Sequence, residues 1–290
     1  MHVTLQQLIN GLTQGSLFAL LAISFAIIYG VLKLVNFATG ALYMMGAYAG
    51  WMVVTYVSEN IFLALLAGAA MGWSLGFIIE KVAIKLLRGV ARIASLICTI
   101  GFSILFMEIA SVIWGAETKS MPSFYDGVAF RIGDVEVVWY QLFMIATAIV
   151  ILSGLQILIF KTRIGLAIRT VSLDYKTAGL MGVDVDRVTS FTFALGGACA
   201  GIAGVLGSVY YNAINPTMGL IAGTKSFSSA VFGGLTSVPG AIIGGYSLGI
   251  IENLGVHVIG IGYRDIIGFV ILVGFLLFRP QGILGRRVNI

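Results

Sequence analysis

The first charged side chain in the sequence is Lys33, and residues 12–32 ahead of it form an almost continuous apolar run. A run of that length matches the roughly 20 residues a helix needs to cross a bilayer. Comparable runs recur at residues 61–79, 93–114, 140–160 and 188–210. In lipid every backbone N–H and C=O must find a partner within the protein, so each run is expected to be helical. Composition agrees: 59% of residues are apolar and only 10% charged, with a mean hydropathy of +1.04, against roughly 25% charged residues in soluble domains. The expectation is an all-α, polytopic integral membrane protein, a single domain over residues 1–290, with about eight or nine transmembrane helices. The opening residues lack both a basic region and a small-residue cleavage site, so the first span is expected to stay rather than act as a signal peptide.

Several runs are interrupted. Asn36 and Gly40 break the apolar stretch after Lys33, and a broken helix at membrane depth is tolerated only where its backbone lines protein or a water cavity. Asn36, Phe37, Thr39, Gly40 and Tyr43 are therefore translocation-pathway candidates. The plainer alternative is a short loop between two spans, with Phe37, Tyr43 and Met44 as packing residues. Gly68, Gly72 and Gly76 strip one helix face to backbone, which invites a neighbour to approach closely. Residues 219–234 and 240–254 are both short and read as partial spans or a bent hairpin. The segment 115–138 holds four acids against Lys119 and Arg131 and several turn residues, which suits an outer loop. Residues 80–92 and the arginines at the C-terminus suit the cytoplasmic side by the positive-inside rule. Alternate counting gives nine crossings with an outer N-terminus, or eight or ten if one segment re-enters. Glycine-punctuated elements in both halves suggest a duplicated architecture.

The one long polar segment is 161–187, with five cationic residues against three acids. It is expected on the cytoplasmic side. Ser172 can cap a short helix whose first turn holds Asp174, and Gly182 is placed to end it. Leu173, Thr177 and Leu180, with Ala178 and Met181 beside them, make a narrow apolar face with nothing of its own chain to cover it. Such a helix is either a plug for a partner's groove or an ordinary solvated loop.

Other chemistries find little support. The net charge of +5 falls mostly in loops facing lipid headgroups and cytoplasm, without the basic stripe that nucleic acid requires. Cys98 and Cys199 lie in apolar runs and, with His2 and His257, match no familiar metal spacing. No Ser/His/Asp set, membrane aspartate pair or HExxH helix points to an intramembrane enzyme, so no catalytic or metal residues are assigned. Glu108, Lys225 and Glu252 sit in apolar surroundings, where an unpaired charge costs several kcal/mol. They either flank a pathway and meet the ends of a zwitterion, or pair with one another and with headgroups.

Taken in order, TQGSLFALLAISFAIIYGVLKLVNFATG, GFSILFME, the 161–187 segment, FALGGACAGIAGVL, AVFGGLTSVPGAIIGG and RPQGILG resemble the permease subunits of branched-chain amino acid ABC importers, the LivH-type family. The family often has His at the position of Thr39. The resemblance assigns Ser172, Asp174, Ala178 and Gly182 to an ATPase-coupling loop. It implies a second homologous permease subunit, two cytoplasmic ATPases that bind ATP and Mg, a periplasmic binding protein, and the inner membrane of a bacterium. No phosphate-binding loop occurs here, and GTKS at Gly223 lacks the required glycine spacing. Permeases for urea, short amides and other amino acids share the family. An ion-coupled secondary carrier is the rival reading, and it leaves the short helix without a role.

Overall fold

The computed structural model describes residues 2–87, 92–122, 124, 127–132, 135–278 and 282–285. The C-terminal arginines used above for orientation, Arg279, Arg286 and Arg287, lie outside them. Helix α1 (His2–Leu32) ends where Lys33 adopts a left-handed backbone. There the Lys33 N–H closes the last turn on Tyr29 O. A non-helical stretch leads to α2 (Thr39–Tyr56) and α3 (Ile61–Ile79), which runs on through a π-helical turn (Glu80–Ile84) into α4 (Lys85–Leu87). Next come α5 (Arg92–Trp114), a β-hairpin of β1 (Val128–Ile132) and β2 (Val135–Val138), and α6 (Trp139–Lys161). Then follow α7 (Arg163–Leu173), α8 (Tyr175–Leu180), α9 (Val185–Tyr211), α10 (Met218–Gly233), α11 (Val238–Ile259) and α12 (Arg264–Phe278).

Among the described residues, six helical segments are long and apolar enough to cross a membrane: Leu5–Leu32, Ile61–Leu87, Ile93–Trp114, Trp139–Lys161, Val185–Tyr211 and Val238–Ile259. Helices α2, α10 and α12 are shorter, at 18, 16 and 15 residues. Three expectations change. Residues 240–254 are no partial span, because α11 continues to Ile259. Residues 80–87 are helical rather than loop, and Glu80 is fully buried with the Ser190 hydroxyl donating to its carboxylate. The 115–138 segment contains a hairpin, which alternation in VAFRI and VEVV could have signalled.

Helices α1 and α9 are buried along most of their length, and the others wrap them, leaving outward faces of Ile, Leu, Val and Phe. In lipid no hydrophobic force drives one apolar helix against another, so close backbone contact must do it. Around α9 the glycines supply that contact. Gly46, Gly68, Gly72, Gly197 and Gly201 face one another across α2, α3 and α9, and a methyl group on any of them would overlap opposing atoms, mostly backbone. On α1, a β-carbon at Gly11 or Gly15 would lie 2.8 and 2.9 Å from the Cα atoms of Ile250 and Tyr246 on α11. Gly154, by contrast, meets nothing within 4 Å.

Overpacking of this sort costs about 1–3 kcal/mol or more. Gly201→Leu should therefore lower the recovery of monodisperse protein after heating in detergent, while Gly154→Leu should match wild type on the same gel-filtration assay.

Candidate functional site

Two features stand out, one at each end of the bundle. The first is the helical turn α7–α8. Asp174, not Ser172, is the N-cap: its carboxylate accepts the Lys176 N–H at 2.9 Å and the Thr177 hydroxyl at 2.5 Å. Ser172 belongs to the last turn of α7 and donates instead to Arg169 O. Asp174 wins because its extended backbone and two-residue offset place an acceptor over the free N–H groups of α8. The Thr177 hydroxyl and the Lys176 N–H hold its carboxyl below the ordinary carboxylate range. Gly182 takes φ +85°, and the Val183 N–H reaches back to Ala178 O, closing the helix as expected.

The turn is not free of its own chain. Ala178 is buried against Val31, Ile168, Val171 and Val188, which ties α8 to the end of α1, to α7 and to the start of α9. Leu173, Leu180 and Met181 point away and are 79–88% exposed. The knuckle thus has an anchored inner side and an uncovered apolar outer side. Just beyond it, Asp186 pairs with Lys85 at 2.7 Å, and Ser190 bonds Glu80, so the first turns of α9 are tied to the end of α3.

The second feature is a cavity of ≈ 310 Å³, lined by α1 (Gln14, Leu17, Phe18, Leu21), Tyr43 of α2, Tyr211, the loop 213–217, α10 and the start of α12. Lys225, at 5% exposure, lines the cavity and pairs with Glu252, which is fully buried behind it, and Lys225 Nζ also lies 3.2 Å from Asp265. Gly268 makes room for the pair: a β-carbon there would lie 3.0 Å from Lys225 Nζ. Beside them a chain of hydrogen bonds runs from Arg264 to Asn253 (3.2 Å), from Asn253 to Gln14 (2.6 Å) and from Gln14 to the Tyr211 hydroxyl (3.1 Å). One polar path therefore joins α12, α11, α1 and α9.

Of the pathway candidates, Tyr43 alone lines this cavity. Asn36 and Thr39 are buried and bonded to their own turn, and the Phe37 N–H donates to Thr99 of α5 while its ring meets Phe227. Gly40 packs on Gly219 and Gly223. Glu108 is exposed on α5 and belongs to neither feature. Gln14, Asn253, Arg264 and Asp265 were missed as site residues; Gln14 and Asn253, amides within apolar spans, were the available signal.

A polytopic helical membrane protein with a polar-lined cavity and an anchored terminal knuckle has the parts of a transport subunit. The chain belongs to the family described as branched-chain amino acid transport system / permease component, whose model matches residues 7–276. It is 37% identical to the high-affinity branched-chain amino acid transport system permease protein BraD of Pseudomonas aeruginosa, over 97% of this chain and 96% of that one. Identity to the corresponding permease protein LivH of Escherichia coli is also 37%, over the same shares. The ribose import permease protein RbsC of Escherichia coli is 24% identical over 93% of this chain and 84% of its own.

Breaking the ion pair by Lys225→Met leaves Glu252 buried without its cation, a loss of about 3–5 kcal/mol. Folded yield should drop, and the double substitution Lys225→Met with Glu252→Met should restore it. Capping is testable by amide exchange: Asp174→Ala should speed exchange across residues 175–181, and Asp174→Ser should not. Because the Asp174 pKa is lower folded than unfolded, its contribution is complete above the unfolded value. It fades as pH falls through the folded one, so wild-type protection should hold down to about pH 4 and decline only below it.

Proposed function

We propose that the chain is the membrane-spanning permease subunit of an ATP-driven importer that moves branched-chain amino acids into the cell by alternating access. The observation that carries the reading is the knuckle: Leu173, Leu180 and Met181 are exposed around α8, whose opposite side is anchored through Ala178 to three other helices. A push on that surface is delivered to α1 and α9 directly. Through Asp186–Lys85 and Ser190–Glu80 it reaches the end of α3, where a π-helical turn supplies a place to yield. The relatives' names supply the solute class.

In this reading the motor is a pair of cytoplasmic ATPases that hold ATP and Mg, and a second homologous permease completes the membrane unit. A periplasmic protein delivers the solute. The cationic segment 161–187 then faces the cytoplasm of a bacterial inner membrane, and the β-hairpin end faces out. Nine helices among the described residues then alternate across the membrane, with a cytoplasmic C-terminus. Urea, short amides or other amino acids are the alternative cargo within the family, distinguished by which loaded binding protein stimulates ATP hydrolysis.

Leu180→Asp with Met181→Asp places charge on the docking surface without touching the buried Ala178. Loss of an apolar anchor of this kind costs about 2 kcal/mol or more at an interface. Copurification of the ATPase and ATP-driven uptake should both fall sharply while the yield of folded permease stays at wild type; retained copurification would remove the knuckle from the interface.

A further inference from the structure

The cavity's charges are unevenly matched. Lys225 faces two carboxylates, Glu252 and Asp265, so Asp265 holds only a shared claim on its cation. Arg264, one residue earlier, gives one nitrogen to the neutral Asn253 side chain, and its buried Nε has no hydrogen-bond partner among the described residues. At the start of α12 the chain thus presents an anion that shares its cation beside a cation with no acid bonded to it among the described residues, both lining the same cavity. The remaining wall sets an apolar patch of Leu17, Leu21, Met218 and Ile221 beside polar groups, Lys225 among them. A volume of ≈ 310 Å³ lies at the small end of the about 300–1,000 Å³ typical of small-molecule sites.

Resting on the importer reading above, we propose that this cavity is a binding site within the permease for one small aliphatic amino acid in its zwitterionic form. Arg264 takes the carboxylate, Asp265 takes the ammonium, and Leu17, Leu21, Met218 and Ile221 surround the side chain. A lone anion would leave Asp265 facing like charge, and a lone cation would do the same to Arg264. A molecule carrying both charges on one carbon satisfies both. Asp265 and Ile221 are both 56% exposed, so substitution there leaves the packed interior of the bundle intact.

The test is equilibrium binding of radiolabelled L-leucine to the purified permease–ATPase complex without its binding protein. Competitors are 4-methylvalerate, which lacks the ammonium, and isoamylamine, which lacks the carboxylate. Wild type should bind leucine saturably and prefer it over either competitor by at least about tenfold, because a site built for a charged group rejects the analogue lacking it. Asp265→Asn should erase the preference over 4-methylvalerate while keeping that over isoamylamine, and Ile221→Trp should abolish binding by filling the space. Absence of leucine binding in wild type, or unchanged preference in Asp265→Asn, overturns the proposal. ATP-driven uptake by the same wild-type complex in vesicles, with loaded binding protein added, separates the two readings: uptake without cavity binding sinks this site alone, whereas no ATP-driven uptake sinks the importer reading.

Discussion

Water supplies nothing to hold these helices together once they lie in lipid, so the architecture depends on backbone meeting backbone. The glycines of α2, α3 and α9 provide this: Gly201 lies where all three helices converge, and Gly72 and Gly197 face each other one turn away. Dispersion gained over such a surface falls off steeply with distance, which is why a single methyl group is enough to disturb it. Leucine-rich faces, so abundant elsewhere in the chain, contribute little by comparison, because lipid tails solvate them as well as protein does.

From that scaffold the polar elements acquire fixed positions. The Lys225–Glu252 pair is tolerable when buried because α10, α11 and the Gly268 notch of α12 bring the partners together. The relay from Arg264 to Tyr211 bonds four helices without a second buried charge pair. At the opposite end the same logic anchors α8 by its smallest residue. Ala178 fits against Val31 and Val188 where a larger side chain would lift the knuckle off. An exposed apolar surface backed by a packed one transmits force; a flexible loop of the same composition would absorb it.

Much of this was readable from hydropathy and punctuation. The long spans, the close-packing role of Gly68, Gly72 and Gly76, the helix end at Gly182 and the pairing option for Lys225 all follow from residue type and local spacing. What escaped depends on tertiary position. Ser172 and Asp174 are both good caps by type, and only the backbone of residue 174 selects between them. Ala178 was visible as part of an apolar face, but which side of the helix is covered is set by α1 and α9, far away in sequence. Glu80 looked like a loop acid because α3 continues past the apolar run, and the buried Ser190 that receives it lies 110 residues on. The stretch from Asn36 to Gly40 does interrupt a helix, yet its polar atoms mostly serve the turn itself and only Tyr43 reaches the cavity.

In the proposed importer the membrane domain is a conduit moved by a separate motor, and solute uptake into sealed vesicles tests that division of labour most directly. Vesicles containing the chain alone under an imposed proton or sodium gradient should accumulate no leucine. Vesicles with the assembled complex, loaded binding protein outside and ATP inside should accumulate it with no ion gradient at all. Gradient-driven accumulation by the lone chain would contradict the account.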